Sequence, residues 1–274
     1  MGTSQRFNPS VKGQPNWGKA SSAISRLEKA LADEDILEQN KDQVTPQQYD
    51  KRKVRITQRV YRNYRNAVSN TIKAGGGAKA VSSGSSKAFG RGGISVIQNF
   101  VHAIAEIKEQ SLSSWLETHG HGSLEEKTKE QVIETITIYV QENLVAMDDT
   151  AANEALEYLM DLFNDRLGED PTQYDAAIGS LLVTGEMKEL LDCFFAKYIF
   201  CHLSQSIHEK LVKEKGENYA NATMDAIKDL ISEDVKGLPA DTSILNLDWS
   251  SHEGENYCKE EFARIIHIYL DDEN

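Results

Sequence analysis

The chain has 274 residues, a formal net charge of −13 and only three cysteines. Its length allows one large domain or two smaller ones, each with a buried core. It contains no run of about eighteen or more apolar residues, which excludes a membrane-spanning helix and argues against a membrane partner. Three cysteines are too few for a disulfide framework, so we predict a soluble, cytoplasmic protein in a reducing compartment.

Charge is distributed unevenly along the chain. Residues 1–110 contain 18 Lys and Arg against 9 Asp and Glu, whereas residues 111–274 contain 12 against 34. This asymmetry suggests that the front part meets an anionic partner, or the acidic rear of another copy, while the acidic rear repels nucleic acid. The alternative is that the helical surfaces simply differ in charge.

Residues 1–18 are predicted to form a flexible arm. Between residues 2 and 16 the only large apolar side chain is Phe7, so burial cannot offset the entropy lost when this segment becomes ordered. Gly2 is small enough for Met1 to be removed, which would leave a free glycine amine at the end of the arm. Such an end is useful when another protein grips or modifies it, although a terminus without a role is also consistent with the composition.

A short amphipathic helix is predicted over Lys19–Asp33. Ile24, Leu27 and Leu31 recur at intervals of three and four residues and therefore share one helical face. The polar and acidic residues that follow, up to about Val44, are predicted to form a connector.

The next predicted helix covers Pro46–Lys73. Thr45 is placed as its N-cap, with proline at the first helical position and Gln48 at the third, which is the pattern of a capping box. The apolar residues recur every four positions as one stripe, namely Ile56, Val60, Tyr64, Val68 and Ile72. The cations fall together on a different face, namely Lys51, Arg55, Arg59, Arg62 and Arg65.

Two interpretations of this basic face remain open. Its cations could follow the phosphates of a nucleic acid while Tyr61 and Tyr64 stack on a base. The same face could instead pair with the acidic rear of the protein or with a protein partner. Both interpretations predict a site for anionic groups on this helix.

Glycine and serine dominate residues 75–93, where a continuous helix would be costly. We predict either a hinge or a loop that contacts another part of the molecule closely. A phosphate-binding P-loop is not matched, because Lys87 neither follows a glycine nor precedes a hydroxyl residue. A dinucleotide-binding fingerprint also fails, because no strand precedes the glycines. No bound cofactor is therefore predicted.

The rear of the chain shows helical periodicity throughout. The predicted helices run from Ile94 to just before Trp115, through Val132–Val140, and over Glu154–Leu167, Met187–Lys215, Tyr219–Ser232 and Tyr257–Leu270. Ser123 and Glu126 are predicted to form a capping box ahead of the second of these helices. The segment Gly237–Asp248 is predicted to be a loop with a short extended stretch at Ile244–Leu247.

The predicted fold class is all-α, because no alternating run is long enough to build a sheet. The body should resemble a helical bundle, preceded by a disordered or extended arm and interrupted by the Gly/Ser-rich segment. Three regions follow from composition: the arm over 1–18, a basic helical region over 19–93 that ends in a hinge, and an acidic helical domain over 94–274.

No residues are predicted to be catalytic or to bind a metal. His119 and His121 flank a glycine and are predicted to belong to a flexible turn. Four further candidate ligands share one predicted helix on different arcs, namely Cys193, Cys201, His202 and His208. No Gly-x-Ser-x-Gly or His-Glu-x-x-His motif occurs, so an enzyme is not predicted.

Several features together resemble a known family. They are Met1-Gly2-Thr3-Ser4, Asn16-Trp17-Gly18, the basic Tyr/Arg helix, the Gly/Ser-rich segment 75–93 and the acidic helical rear. This combination looks like the B component of the Qat anti-phage defence systems, with its specific motifs in the N-terminal third. In those systems the B protein is encoded beside an ATPase, a protein resembling the 7-cyano-7-deazaguanine synthase QueC, and a TatD-like nuclease.

The resemblance implies a non-catalytic accessory protein, since the neighbours would carry the catalytic motifs. Its partners would be the QueC-like enzyme and the ATPase, with the TatD-like nuclease as a further candidate. Gly2 would be the modification site, because its α-amino group is a suitable acceptor for an activated 7-deazaguanine-type acyl group. The residues of the arm that contact the partner would be Gly2, Thr3, Ser4, Asn16, Trp17 and Gly18. A nucleic-acid-binding adaptor is the alternative function.

Overall fold

The computed structural model describes residues 15–86, 89–142, 150–239 and 247–270. Gly2, Thr3 and Ser4 lie outside these ranges, as do Lys87 and most of the predicted extended stretch at Ile244–Leu247. Within the described ranges the regular structure is entirely helical, which confirms the predicted all-α class. None of the helices in these ranges combines the length and the apolarity needed to cross a membrane.

Eleven α-helices are present in the described parts of the chain. They are α1 Pro15–Gln39, α2 Pro46–Ala74, α3 Ala78–Ser82, α4 Arg91–Gln110, α5 Leu112–Thr118, α6 Lys129–Glu142, α7 Thr150–Leu167, α8 Tyr174–Leu181, α9 Glu186–Lys215, α10 Glu217–Lys236 and α11 His252–His267. Single 3-10 turns follow α1, precede α6 and precede α8. The short helices α3, α5 and α8 were not predicted as separate elements.

α1 and α2 form an antiparallel hairpin. α1 extends beyond the predicted Lys19–Asp33 at both ends, because Leu37 still packs into the core at 6% exposure and Asp33 pairs with Arg59 of α2. Most of the predicted connector is therefore helix. Asn16, Trp17 and Gly18 lie in the first turn of α1, which corrects their assignment to the arm.

One of the two predicted capping boxes is present, and the other is formed by different residues. The predicted box at the start of α2 is present, because the Thr45 hydroxyl accepts from the Gln48 N–H and the Gln48 side chain accepts from the Thr45 N–H. Ser123 opens only a 3-10 turn. The box ahead of α6 is made instead by Thr128 and Gln131, whose side chains accept from each other's backbone N–H groups.

One continuous hydrophobic core spans the chain from Ala23 in α1 to Tyr269 after α11. α9 lies at its centre and contacts α4, α7, α10 and α11. Phe194, Phe195 and Tyr198 of α9 are fully buried, as expected for a helix that is apolar on most sides. The boundary at residue 93 is therefore a change in charge, and the core continues across it.

The Gly/Ser-rich segment packs closely against this core. Phe89 is 3% exposed and stacks on the Tyr198 ring at 5.5 Å. The Gly90 N–H donates to the Tyr198 hydroxyl at 2.9 Å, and a Cβ on Gly90 would lie 2.1 Å from the Val81 carbonyl oxygen. A Cβ on Gly93 would lie 2.5 Å from the Tyr198 ring. The described part of this segment, which includes the short helix α3 and the start of α4, therefore makes the close contact that was predicted as the alternative to a hinge.

Candidate partner-binding surfaces

The described residues at the start of α1 are partly exposed. Gly18 and Lys19 in the first turn of α1 are exposed, and Asn16 is half-buried. Outside the backbone of α1 itself, no atom of the described residues lies within 4 Å of the position that a Cβ on Gly18 would occupy. Residues 2–14 precede α1, and thirteen extended residues span at most about 45 Å. The start of α1 therefore leaves room for a partner to bind the segment that precedes it.

The cations predicted on the basic face of α2 do project from one side of the helix, but they are not equally available. Lys51, Arg55 and Arg62 are exposed, and the described part of the chain offers them no ion pair. Arg59 is half-buried, and its Nη1 lies 2.7 Å from Asp33 Oδ2. The free part of this face therefore consists of three of the five predicted residues.

Arg65 belongs to a polar cluster that joins α2 to the rear of the molecule. Its Nε lies 3.6 Å from Asp234 Oδ2 in α10, and its guanidinium lies 4.8 Å from the Tyr61 ring centroid. The Asp234 side chain, 8% exposed, accepts hydrogen bonds from the hydroxyls of Tyr61 at 2.5 Å and Tyr64 at 2.8 Å. Part of the basic helix thus pairs with the acidic rear, one of the two predicted alternatives.

The tyrosines in this cluster act as hydrogen-bond donors. Burial, reinforced by the negative charge of Asp234, raises the pKa of both Tyr61 and Tyr64. The Tyr64 hydroxyl also lies 3.0 Å from that of Tyr269 after α11. Because Tyr64 is fully buried and already bonded, it cannot stack on a base as the nucleic-acid interpretation required.

Apolar groups border the free cations of α2. A groove of about 510 Å³ between α1 and α2 is lined by Ile36, Arg52 and Arg55. Ile36 is 56% exposed, and Val54 on α2 is 57% exposed. Arginine beside exposed aliphatic side chains is a composition found at protein interfaces. The hairpin surface therefore has the character of a protein-binding site as well as a basic one.

His119 packs on Trp115, and Cys201 and Cys258 are buried in the core. His119 Nδ1 donates to the Trp115 carbonyl at 2.8 Å, and its ring lies 4.6 Å from the Trp115 ring, so the predicted flexible turn is ordered at this residue. Burial raises the pKa of both the Cys201 and Cys258 thiols to about 12. Within the described ranges no cluster of three or more His, Cys, Asp or Glu has the geometry of a metal site.

A buried charge cluster between α9 and α11 was not predicted. The Lys188 ammonium contacts the Asp192 carboxylate and lies 3.4 Å from Glu261 Oε1. Arg264 Nη2 lies 2.6 Å from the same Glu261 oxygen. Burial and the neighbouring Glu261 raise the pKa of Asp192 to about 7. The spacing Lys188–Asp192 was visible in the sequence, but its meeting with α11 was not.

Comparison with known proteins leaves the family assignment open. No model of a protein family, no curated protein and no solved structure matches this chain significantly. The resemblance to the Qat B component therefore remains a prediction from sequence motifs. The surfaces that the geometry offers are the start of α1, the free cations of α2 and the groove beside Ile36.

Proposed function

We propose that this protein is a non-catalytic accessory component of a bacterial anti-phage defence complex in the cytoplasm. In this proposal its N-terminal arm docks into a QueC-like partner enzyme, and the ATPase and the TatD-like nuclease belong to the same complex. The observation that carries the proposal is the Gly2-Thr3-Ser4 arm on a helix whose first turn is exposed at Gly18 and Lys19. An arm that leaves the body at such a point can enter another protein without unfolding the core.

The chemistry assigned to Gly2 is acyl transfer. A QueC-like enzyme activates a carboxylate with ATP, which forms an acyl adenylate and releases pyrophosphate, so that AMP is the leaving group of the next step. With Met1 removed, the neutral Gly2 amine attacks the activated carbonyl carbon, an amide forms, AMP departs and the amine proton passes to solvent. An α-amino group has a pKa of about 8, against about 10.4 for lysine, so a larger fraction is nucleophilic at neutral pH. Thr3 and Ser4 supply small hydroxyl contacts in a narrow channel.

The α1–α2 hairpin is proposed to hold the partner while the arm reacts. Its groove combines Ile36 with Arg52 and Arg55, and Val54 is exposed nearby. Apolar contacts would supply affinity, and the cations would select an acidic partner surface. The proposal thus assigns the N-terminal arm and the α1–α2 hairpin surface to the same partner.

The test compares the N-terminal peptide of the protein purified alone and with its genomic neighbours, by intact-mass and peptide mass spectrometry. We expect an added mass on Gly2 only when the QueC-like enzyme is present. Gly2→Leu should abolish modification and defence, because a bulky second residue prevents removal of Met1. Gly2→Ala is the matched control, since it keeps both methionine removal and a primary amine. An unmodified glycine in both preparations, with normal defence by Gly2→Leu, would contradict the proposal.

A nucleic-acid-binding adaptor is the second candidate, and the exposed, unpaired Lys51, Arg55 and Arg62 favour it. Three phosphate contacts predict a slope of about −2 for log affinity against log salt on single strands. Replacing Lys51 and Arg62, the two of these cations that do not line the groove, with glutamate should weaken that binding and leave Gly2 modification intact. The matched control replaces two exposed lysines elsewhere, namely Lys79 and Lys108. Binding that is independent of salt would eliminate this candidate.

A further inference from the structure

A cavity of about 570 Å³ lies between α7, α9 and α10 in the acidic rear of the molecule. Its lining contains five cations from all three helices, namely Arg166, Lys188, Lys197, Lys228 and Lys236. Residues 111–274 hold only 12 Lys and Arg against 34 Asp and Glu, yet among the residues that the structure describes only two carboxylates, Glu189 and Asp192, line the cavity. Positive charge is therefore concentrated where the surrounding sequence is most acidic.

Two of these cations are already neutralised by protein groups. Lys188 contacts Asp192 and approaches Glu261 in the buried cluster described above. Arg166 pairs with two carboxylates of α9, and its Nη2 lies 3.5 Å from Glu189 Oε2. These ion pairs connect residues in the cavity walls. The net positive charge of the cavity therefore comes from the remaining three cations.

Three lysines around the cavity have no ion-pair partner among the residues that the structure describes. They are Lys197, Lys228 and Lys236, of which the last two are exposed. Lys228 and Lys236 are separated by eight residues on α10, or about 12 Å along the helix axis. Like charges around one cavity repel each other, and an anion bound between them would remove that repulsion.

Flat aromatic surfaces accompany the cations. Tyr158 of α7 and Phe200 of α9 both line the cavity and are only partly buried. The Lys197 ammonium lies 5.8 Å from the Tyr158 ring centroid and 5.5 Å from that of Phe200. Aromatic faces of this kind stack on nucleobases. The hydroxyls of Thr184 and Ser232 add hydrogen-bonding groups to the same cavity.

We infer that this cavity binds a nucleotide, with its base against Tyr158 and Phe200 and its phosphates held by Lys228 and Lys236. The volume falls within the range of pockets that enclose small ligands, about 300–1,000 Å³. The inference is independent of the proposed function, since none of its residues belongs to the arm or to the hairpin surface. It assigns a ligand site to the acidic half of the molecule, where net charge alone would exclude one.

Binding is tested on the full chain by isothermal titration calorimetry and thermal shift. The probes are ATP, GTP, their monophosphates, the phosphate-free nucleosides and inorganic pyrophosphate. We expect one nucleotide to bind per chain and to raise the melting temperature. It should bind more tightly than either its nucleoside or pyrophosphate, because base and phosphate contacts both contribute.

Substitution then locates the site. Lys228→Gln with Lys236→Gln should weaken nucleotide binding by about tenfold or more, since each lost contact is charge-assisted. These side chains are exposed, so the variant should fold normally, which circular dichroism verifies. The matched control is Lys108→Gln with Lys213→Gln, two exposed lysines outside the cavity, and it should bind as the unaltered protein does.

A second variant examines the base contact independently of charge. Phe200→Leu should reduce the preference for the nucleotide over pyrophosphate while leaving pyrophosphate binding unchanged. The inference is overturned if no nucleotide binds, if the Lys228 and Lys236 variant binds as tightly as the control, or if pyrophosphate or a free nucleoside binds as tightly as the best nucleotide.

Discussion

The α1–α2 hairpin and the bundle around α9 distribute charge in opposite ways. The hairpin buries an apolar stripe and directs cations outward, where Lys51, Arg55 and Arg62 remain free. The bundle belongs to an acidic region, yet five of its few cations line one cavity. The net charge of a region therefore indicates the predominant sign of its surface. The packing of its helices determines where the residues of opposite charge come together.

The largest effect is expected where the two regions join. Gly90 has a φ of 107°, and a Cβ there would meet the Val81 carbonyl at 2.1 Å. Gly90→Ala should lower the free energy of unfolding by about 3–5 kcal/mol, from backbone strain and overpacking together. Urea denaturation measures this. In the control Gly179→Ala, no described atom outside the backbone of its own helix lies within 4 Å of the new Cβ, so this change should stabilise α8 by about 0.5–1 kcal/mol. An unchanged midpoint for Gly90→Ala would restore the hinge interpretation.

The second-largest loss of stability is expected from the polar cluster around Asp234, which joins the hairpin to the bundle. Asp234→Ala removes the acceptor shared by Tyr61, Tyr64 and Arg65. We expect a loss of about 2–4 kcal/mol in the free energy of unfolding, because three donors lose the charged acceptor that they share. Asp229→Ala, an exposed change on the same helix, should stay within about 0.5 kcal/mol. Equal effects of the two changes would mean that apolar contacts alone hold the hairpin to the bundle.

The charge cluster beside the cavity should make stability depend on pH. The pKa of Asp192 is raised in the folded state to about 7, chiefly by burial, from its usual value of 3.8. The folded state therefore binds more protons than the unfolded state between these values, so this group's contribution to stability falls as pH rises from about 4 to about 7. We expect a decline of about 1–3 kcal/mol between pH 5 and pH 8, estimated from the shift. Asp192→Asn should flatten it, and an identical pH profile in that variant would show that Asp192 titrates normally.

The exposed ion pair of the hairpin, Arg59 with Asp33, should contribute least to the free energy of unfolding. The Arg59 and Asp33 side chains are 42% and 47% exposed, and such pairs contribute about 0–1 kcal/mol. Arg59→Ala should therefore change the free energy of unfolding by about 0.5 kcal/mol, with a smaller effect at high salt. Arg65→Ala, at 18% exposure and stacked on Tyr61, should cost more. An equal loss of unfolding free energy in Arg59→Ala and Arg65→Ala would show that the greater burial of Arg65 adds nothing to stability.

Much of the fold could be predicted from local patterns. The apolar spacing of α2 and α9 gave their positions to within about one residue, since an apolar stripe that recurs every three to four residues identifies a buried helical face. α1 was predicted too short because the acidic residues Glu34 and Asp35 looked like the start of a connector. The helix continues through them, and Asp33 beside them pairs with Arg59, a contact between residues 26 positions apart that periodicity does not encode.

The candidate sites were predictable only in part. The basic face of α2 follows from helical spacing, but the engagement of Arg65 by Asp234 depends on how α10 docks against α2. The glycines at 90 and 93 signalled close contact, and only the packed structure names Tyr198 as what they touch. For the arm at Gly2, the sequence motif alone carries the proposal.

By itself, the sequence determined the helical class, the faces of the longer helices and the division between a basic front and an acidic rear, because each depends on residues close together in the chain. Only the tertiary structure decided which charges are paired, that the core continues across residue 93, and that Arg166, Lys197 and Lys236 surround one cavity. Those residues lie up to seventy positions apart, and they meet because apolar faces on three helices exclude water together.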